Sequence, residues 1–382
     1  MKSKKIVFSF LILVLIPIIF FFGMIFIKDP LKVFHQNWFG KNLYMNKHMY
    51  EQAPGIIKNN SFDSIIIGTS MLKNTLSAEA SKYIKGDFIN LSLSGGSHNE
   101  RSMIMNYAIQ NKKIKNVIYS LDYYTYDFDN FPKRFSPFLF DNNIFNDFQI
   151  YMNDKYLKYI FFNLNKNKFN FKVSSLDRPL ADFNLKKNID RFDGLENWIN
   201  NKTPNNKVRN KKYLNLIKNT SKKIKQNKIK KLFDVDKEFK KQKKGIDKYV
   251  LNTVVKNPNT NFICVFPPHY RFRFARWAQY MPDKFELNKK IIKYYVEKSS
   301  TYNNLKVYGF EDRNFLDKIE NYKDTAHYHY SINAKMLKWI SKENGLLTKD
   351  NIDEYLKIIE NKALSFNIHK LSDKINLLEK EF

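Results

Sequence analysis

Residues 6–27, IVFSFLILVLIPIIFFFGMIFI, carry no charge. A helix needs about 20 apolar residues to cross the hydrocarbon core of a bilayer. Among open chains only a helix satisfies its own backbone there, and Pro17 is tolerable in such a helix. The run predicts one transmembrane helix within residues 1–30 and leaves residues 31–382 for the folded part. Lys2, Lys4 and Lys5 precede it, which favours a cytoplasmic amino end and an exported remainder; Lys28 and Lys32 beyond it weaken that asymmetry. A cleaved signal peptide has a shorter apolar core, about 7–15 residues, before an Ala-x-Ala-like site. This core is longer and ends FIKDP, so the sequence favours an uncleaved single-pass anchor in the cytoplasmic membrane, with the domain on the periplasmic or cell-surface side.

Residues 31–60 read as a polar connector with short helical pieces. Short apolar runs follow: SIIIGT (64–69), FINLSLS (88–94), NVIYSLDYY (116–124), NFICVFPP (261–268) and LKVYGF (305–310). Such runs, separated by segments long enough for crossover helices, predict a parallel sheet covered on both faces. The expected class is α/β, a flavodoxin-like three-layer sheet. The rhythm breaks over about 130–250, which is rich in Lys, Asn and aromatic residues. YMNDKYLKYIFFNL and KKYLNLIKNTSKKIKQ there read as amphipathic helices, and the stretch is expected to be a helical insertion. KGIDKYVLNTVVKNPN supplies the next crossover helix. The tail from 331 is expected to be helical, with Ser331 as N-cap and Gly345 as a stop.

One cysteine, Cys264, excludes a disulfide framework and a multi-cysteine metal site; in FICVF it reads as a small core residue. Lys and Arg number 66 against 37 Asp and Glu, a net charge of +29. That excess suits an anionic partner such as lipid headgroups, teichoic-type polymers or acidic glycans. It also fits a general Lys/Asn bias, because it is spread over NKNKFNFK, NNKVRNKK and KKIKQNKIKK. No zinc-finger or aromatic RNA-binding signature is present, and no nucleic-acid partner is expected.

In an open parallel sheet, ligands bind beyond the carboxyl ends of the strands. Four of the ends carry chemistry: Gly68-Thr69-Ser70, then Ser94 through Glu100, then Asp122-Tyr123-Tyr124, then Pro267 through Arg271. A serine hydroxyl needs a base to become a nucleophile, and a histidine base needs a carboxylate to fix its tautomer. Of the seven histidines only His327 has an aspartate three residues before it, in Asp324-Thr325-Ala326-His327. His329 is a rival base, but its aspartate lies five residues away. Each residue also has a structural reading. Ser70 is equally a helix N-cap, Gly95-Gly96 a turn needing positive φ, and His98 a solvated loop residue. Asp122 either contacts substrate or bonds the turns around it. His269, Arg271 and Arg273 either line the pocket mouth or form a basic loop.

GTS after the first strand, the Gly-rich turn in LSLSGGSHNE, YSLDYYTYD and DTAHY before the last helices together resemble the SGNH, or GDSL-like, hydrolase superfamily. The likeness spans roughly residues 62–125 and 260–340. It is nearest the membrane-anchored branch related to alginate acetyltransferases and the D-alanyl transfer protein. The resemblance implies Ser70 as nucleophile, with Asp324 and His327 completing the triad. It implies an oxyanion hole from the Ser70 amide and that of Gly95 or Gly96, and no metal or cofactor. One departure is plain: the superfamily's Asn after the third strand is missing, and Asp122 is an acceptor unless protonated. The implied activity is a serine esterase or O-acyltransferase acting on a cell-envelope glycan or acylated polymer, with room for a membrane-bound acyltransferase as partner. The alternative is a catalytically degenerate glycan-binding or assembly subunit.

Overall fold

The computed structural model describes residues 2–38, 44–45, 48–122, 135–164, 171–173, 176 and 190–381. Tyr123, Tyr124 and residues 177–189 of the expected insertion lie outside the described residues. The chain divides into two compact units. One comprises residues 1–61, 103–113 and 131–176; the other comprises 62–102, 114–130 and 177–382.

The second unit is built on a five-stranded, all-parallel sheet of β2 (Ser64–Ile67), β3 (Phe88–Asn90), β4 (Asn116–Ser120), β6 (Asn261–Phe266) and β7 (Leu305–Gly309), in the order β3-β2-β4-β6-β7. This is the doubly wound, flavodoxin-like order, and all five strands fall on the apolar runs of the sequence. Ile66, Ile118, Ile263, Val265 and Tyr308 enter one core with Met336 and Leu337. Ile65, Val117, Tyr119, Phe262 and Cys264 alternate to the other face, equally buried, which is why the strands read as continuous apolar runs. Burial pushes the Cys264 thiol up to about 12, so it is a core residue and not a reactive one.

The helices are α1 (Lys2–Lys28), α2 (Met49–Asn59), α3 (Ser77–Tyr83), α4 (His98–Asn111), α5 (Asp154–Phe162), α6 (Leu195–Ile199), α7 (Pro204–Lys225), α8 (Val235–Ile246), α9 (Asn252–Lys256), α10 (Arg271–Tyr280), α11 (Pro282–Ser299), α12 (Ser331–Ile340), α13 (Ile352–Ser365) and α14 (Ile368–Glu381). Helices α5 and α7 occupy the two amphipathic stretches of the insertion. A π turn over Asp247–Leu251 joins α8 to α9 before β6. Ser331 is not the N-cap of α12 but its first residue: Tyr330 holds the cap position, and the Ser331 hydroxyl is engaged by His329 Nδ1 at 2.9 Å. Gly345 adopts φ +99° five residues past the end of α12 rather than at it.

The first unit contains α1, long and apolar enough to span a membrane, and a two-stranded antiparallel ribbon of β1 (Tyr44–Met45) and β5 (Phe171–Val173). Residues 31–60 are more than the polar connector expected from sequence. Leu31, Val33, Ala53, Ile56 and Ile57 are all buried. Asp29, directly after α1, fixes the start of this segment by accepting the backbone N–H groups of Val33 (3.0 Å), Phe34 (2.8 Å) and His35 (3.0 Å) together with the Tyr151 hydroxyl. A polar residue directly after an apolar helix thus folds the chain back instead of releasing it.

Candidate active site

Strand order reverses between β2 and β4, and crevices open outside such switch points. Ser70 follows β2 there. Gly68 leaves the strand because no side chain fits: a Cβ would stand 2.7 Å from Leu72 Cβ and 3.1 Å from Ser120 Oγ. The chain then turns through Thr69 and Ser70 into a 3-10 turn over Leu72–Asn74. The Thr69 hydroxyl donates to Asp122 Oδ1 at 2.8 Å, and Ser70 is left partly exposed.

Asp324 and His327 sit in a loop closed by an antiparallel bridge between Tyr322 and Tyr328 and by the Lys323 amide on the His327 carbonyl at 3.0 Å. Tyr322, fully buried, donates its hydroxyl to the Pro268 carbonyl at 2.9 Å, which pins the loop to the end of β6. Three-residue spacing lets the Asp324 carboxylate accept the amides of Ala326 (2.9 Å) and His327 (2.8 Å) while meeting His327 Nδ1 at 2.9 Å from both oxygens. The opposite ring nitrogen, Nε2, lies 2.8 Å from Ser70 Oγ. Ser70, His327 and Asp324 are therefore in a continuous hydrogen-bonded line, with the imidazole 24% exposed and the carboxylate 4% exposed. Burial alone would raise the Asp324 carboxyl. The facing imidazole, the Lys323 charge and the His327 amide outweigh it and hold the group well below the ordinary carboxylate range. A permanent carboxylate on Nδ1 fixes the tautomer in which Nε2 accepts a proton.

No protein-family model matches the chain, and no curated protein is significantly similar to it.

The Gly-rich turn is set beside the Ser70 turn by the ladder itself: the Leu93 amide donates to the Gly68 carbonyl at 2.8 Å. Gly95 is exposed at φ +64°, a left-handed conformation that suits glycine. Gly96 is buried, and its amide donates to the Leu93 carbonyl at 3.3 Å. The Ser70 amide makes no hydrogen bond among the described residues. The next residues form a capping box, with the Glu100 amide on Ser97 Oγ at 3.2 Å and the Ser97 amide on Glu100 Oε2 at 2.8 Å.

Of the remaining sequence candidates, Asp122, His98, Arg271 and His269 are buried and occupied with structure. Asp122 accepts from Thr69, from the Ser120 hydroxyl and from Arg101 Nη1 at 3.3 Å. It is a brace under the Ser70 turn. His98 is fully buried with Nδ1 2.7 Å from the Tyr119 hydroxyl, and burial then Arg101 hold it well below the ordinary imidazole range. Arg271 is fully buried: it donates to Asp317 Oδ1 (2.6 Å) and to the carbonyls of Glu311 (2.6 Å) and Arg313 (2.9 Å), so it ties a loop and lines no mouth. His269 is 2% exposed, and its Nδ1 lies 3.3 Å from the Ala326 carbonyl, supporting the Asp324–His327 loop from behind. His329 turns away to Ser331 and packs edge-on against Phe192 at 5.0 Å.

Three residues at the site escaped the sequence reading. Asn333 of α12 donates to the Met71 carbonyl at 3.2 Å and accepts from the Tyr328 hydroxyl at 3.0 Å, coupling the Asp324–His327 loop to the Ser70 turn. Asn90 donates to the Leu72 and Thr75 carbonyls, each at 2.9 Å. Arg191 places Nη2 3.8 Å from Asp324 Oδ2 and is itself held by Asn210 Oδ1 at 3.0 and 3.2 Å. The opposite, amino-terminal end of the sheet carries a cavity of about 280 Å3 lined in part by Asn116, Asn261, Asn304 and Tyr308. Asn116 and Asn304 there bond neighbouring carbonyls, and no serine–histidine–carboxylate line lies among the lining residues.

Proposed function

We propose that the protein is a membrane-anchored, extracytoplasmic serine esterase or O-acyltransferase of the SGNH type, acting on a cell-envelope polysaccharide. The observation that carries this reading is the Ser70 Oγ–His327 Nε2 contact of 2.8 Å, backed by Asp324 on Nδ1. In the proposed reaction Ser70 Oγ attacks an ester carbonyl and its proton passes to His327 Nε2. The carbonyl π electrons move to oxygen, and the amides of Ser70 and of Gly95 or Gly96 are the donors proposed for that oxyanion. Collapse expels the alcohol, which takes the proton from His327 and leaves an acyl-Ser70 ester. Water or a sugar hydroxyl then attacks, again losing its proton to His327, and regenerates Ser70. Asp324 stabilises the imidazolium in both halves and stays ionised throughout.

The anchor and its orientation belong to the same proposal. Ile25 of α1 is fully buried in a cluster with Leu31, Val33, Leu139, Ile150 and Tyr151, which supports an anchor retained by the folded chain. Lys2, Lys4 and Lys5 support a cytoplasmic amino end. The test is to incubate the detergent-solubilised full chain with p-nitrophenyl acetate and examine the Ser70 peptide by mass spectrometry. Acetylation of Ser70 in the wild type, absent in His327→Ala, is the expected result. An unmodified Ser70 with acetyl groups only on lysines, together with release of p-nitrophenolate no faster than in His327→Ala, would overturn the reading.

A further inference from the structure

Several large apolar side chains of the first unit face outward: Phe145 is 87% exposed, Phe162 70%, Leu164 55% and Ile144 46%. Contiguous exposed apolar surface on a folded unit marks a site of interaction. Their neighbours say what lies against them. Phe161, beside Phe162, stacks on Phe21 of α1 with centroids 5.3 Å apart and lies 6.4 Å from Phe20. Phe148, three residues after Phe145, packs edge-on against Phe22 at 5.3 Å. Each exposed cluster thus lies within three residues in sequence of an aromatic side chain packed on residues 20–22 of the helix that is long and apolar enough to span a membrane. From Phe21 to the end of the apolar run at Ile27 is six residues, about 9 Å along a helix axis. Side chains packed at Phe21 therefore stand inside the hydrocarbon whenever α1 spans it. Trp38, 56% exposed and 5.7 Å from the Phe26 ring, marks the interfacial level above them, where tryptophan concentrates.

Helix α5 is built for that position. Its charges, Asp154, Lys155 and Lys158, fall in the first five residues, and it ends Tyr-Ile-Phe-Phe. Asp154 and Lys158 pair at 2.8 Å, and Lys155 reaches Glu51 at 3.2 Å, so the charged end is anchored in protein. Backbone polar groups in hydrocarbon must be satisfied internally. Asn163 ends α5 in the left-handed conformation, its amide donating to the Tyr159 carbonyl at 3.0 Å, and the Leu164 amide returns to the Lys158 carbonyl at 3.1 Å. The stop thus satisfies the Lys158 and Tyr159 carbonyls within the helix end.

We infer that the carboxyl end of α5 and the Ile144–Phe145 turn form a second, monotopic membrane element, sinking Phe145, Phe162 and Leu164 into the acyl-chain region of the leaflet from which α1 emerges. The inference rests on the reading of α1 as a membrane span. The occupant is lipid, because Phe161 and Phe148, the neighbours of the exposed residues, pack on the span at Phe20–Phe22, a level inside the hydrocarbon when α1 crosses it.

The test uses the full chain with Cys264→Ala in phosphatidylcholine nanodiscs, carrying an NBD-labelled cysteine in turn at Phe162→Cys, Phe145→Cys, Leu13→Cys within α1 and Val208→Cys on α7. Leu13 and Val208 are each 73% exposed. The expected result is blue-shifted emission at 162 and 145 that is lost with acyl-brominated phosphatidylcholine and insensitive to iodide, as at 13. Position 208 should show the reverse. If 162 and 145 behave like 208 while 13 is quenched by brominated lipid, the inference fails and the span stands. If 13 also behaves like 208, both fall. Shielding at 162 and 145 that appears only when another membrane protein is added would make the patch a protein-docking face and overturn the lipid assignment.

Discussion

Replacing Asp122 by alanine removes the brace beneath Ser70, and the structure sets the size of the effect. The Arg101 side chain is fully buried and the Asp122 carboxylate 6% exposed, with Nη1 3.3 Å from Oδ2. The guanidinium also donates to the Ser120 and Ser97 carbonyls and lies 4.8 Å over the Tyr119 ring, so it cannot reach water when the carboxylate is gone. Breaking a buried pair from one side costs about 3–5 kcal/mol, since it strands the other charge. The Thr69 and Ser120 hydroxyls lose their acceptor as well. Urea unfolding of the detergent-solubilised full chain, with hydrogen exchange of the β2 and β4 amides as a local readout, measures this. Adding Arg101→Met to Asp122→Ala removes the stranded charge, so the double variant should be less destabilised than the sum of the singles by at least about 1.5 kcal/mol. A loss below about 1 kcal/mol for Asp122→Ala, or strict additivity of the pair, would refute the brace.

Asn333→Ala should cost about 1–3 kcal/mol in the same unfolding assay, because the Met71 carbonyl and the Tyr328 hydroxyl are buried and lose their shared partner. For Asp324 the folded carboxyl lies below its ordinary 3.8. Its stabilising contribution is therefore complete above that value and is lost as pH falls through the folded pKa. The stability gap between wild type and Asp324→Asn should shrink with acidification below about pH 4, as followed by unfolding at stepped pH. Glu311 behaves oppositely. It is fully buried, and burial raises its carboxyl well above the ordinary range while Tyr355 and the Phe310 amide donate to it. Folding disfavours its ionised form, so Glu311→Gln should raise the unfolding temperature at neutral pH, with a gain that grows as pH rises.

The sheet was legible because each strand is a run of β-branched and aromatic residues buried on both faces, a pattern that survives without any tertiary information. Asp324 and His327 were legible because a local loop imposes their three-residue spacing. Asn333 was not, since its bond to the Met71 carbonyl spans 262 positions and leaves no local trace. Arg191 was hidden in a Lys/Asn-rich stretch where one more cation carries no information. Ser97 and Glu100 did carry a capping-box spacing, yet the adjacent glycines drew the reading to a turn. The packing of residues 31–60 was missed for another reason: it depends on Asp29 accepting three successive amides, and an isolated aspartate after a membrane helix reads only as its end.

The proposed chemistry requires Ser70 to be a nucleophile activated by His327. A fluorophosphonate probe on the full chain, read by mass spectrometry of the Ser70 peptide, tests that directly. The phosphonyl group should appear on Ser70 in the wild type, be absent in Ser70→Ala, and fall by at least about 10³ in rate in His327→Ala, with His329→Ala close to wild type. No adduct on Ser70 of the folded protein, or an adduct that forms undiminished without His327, would contradict the account.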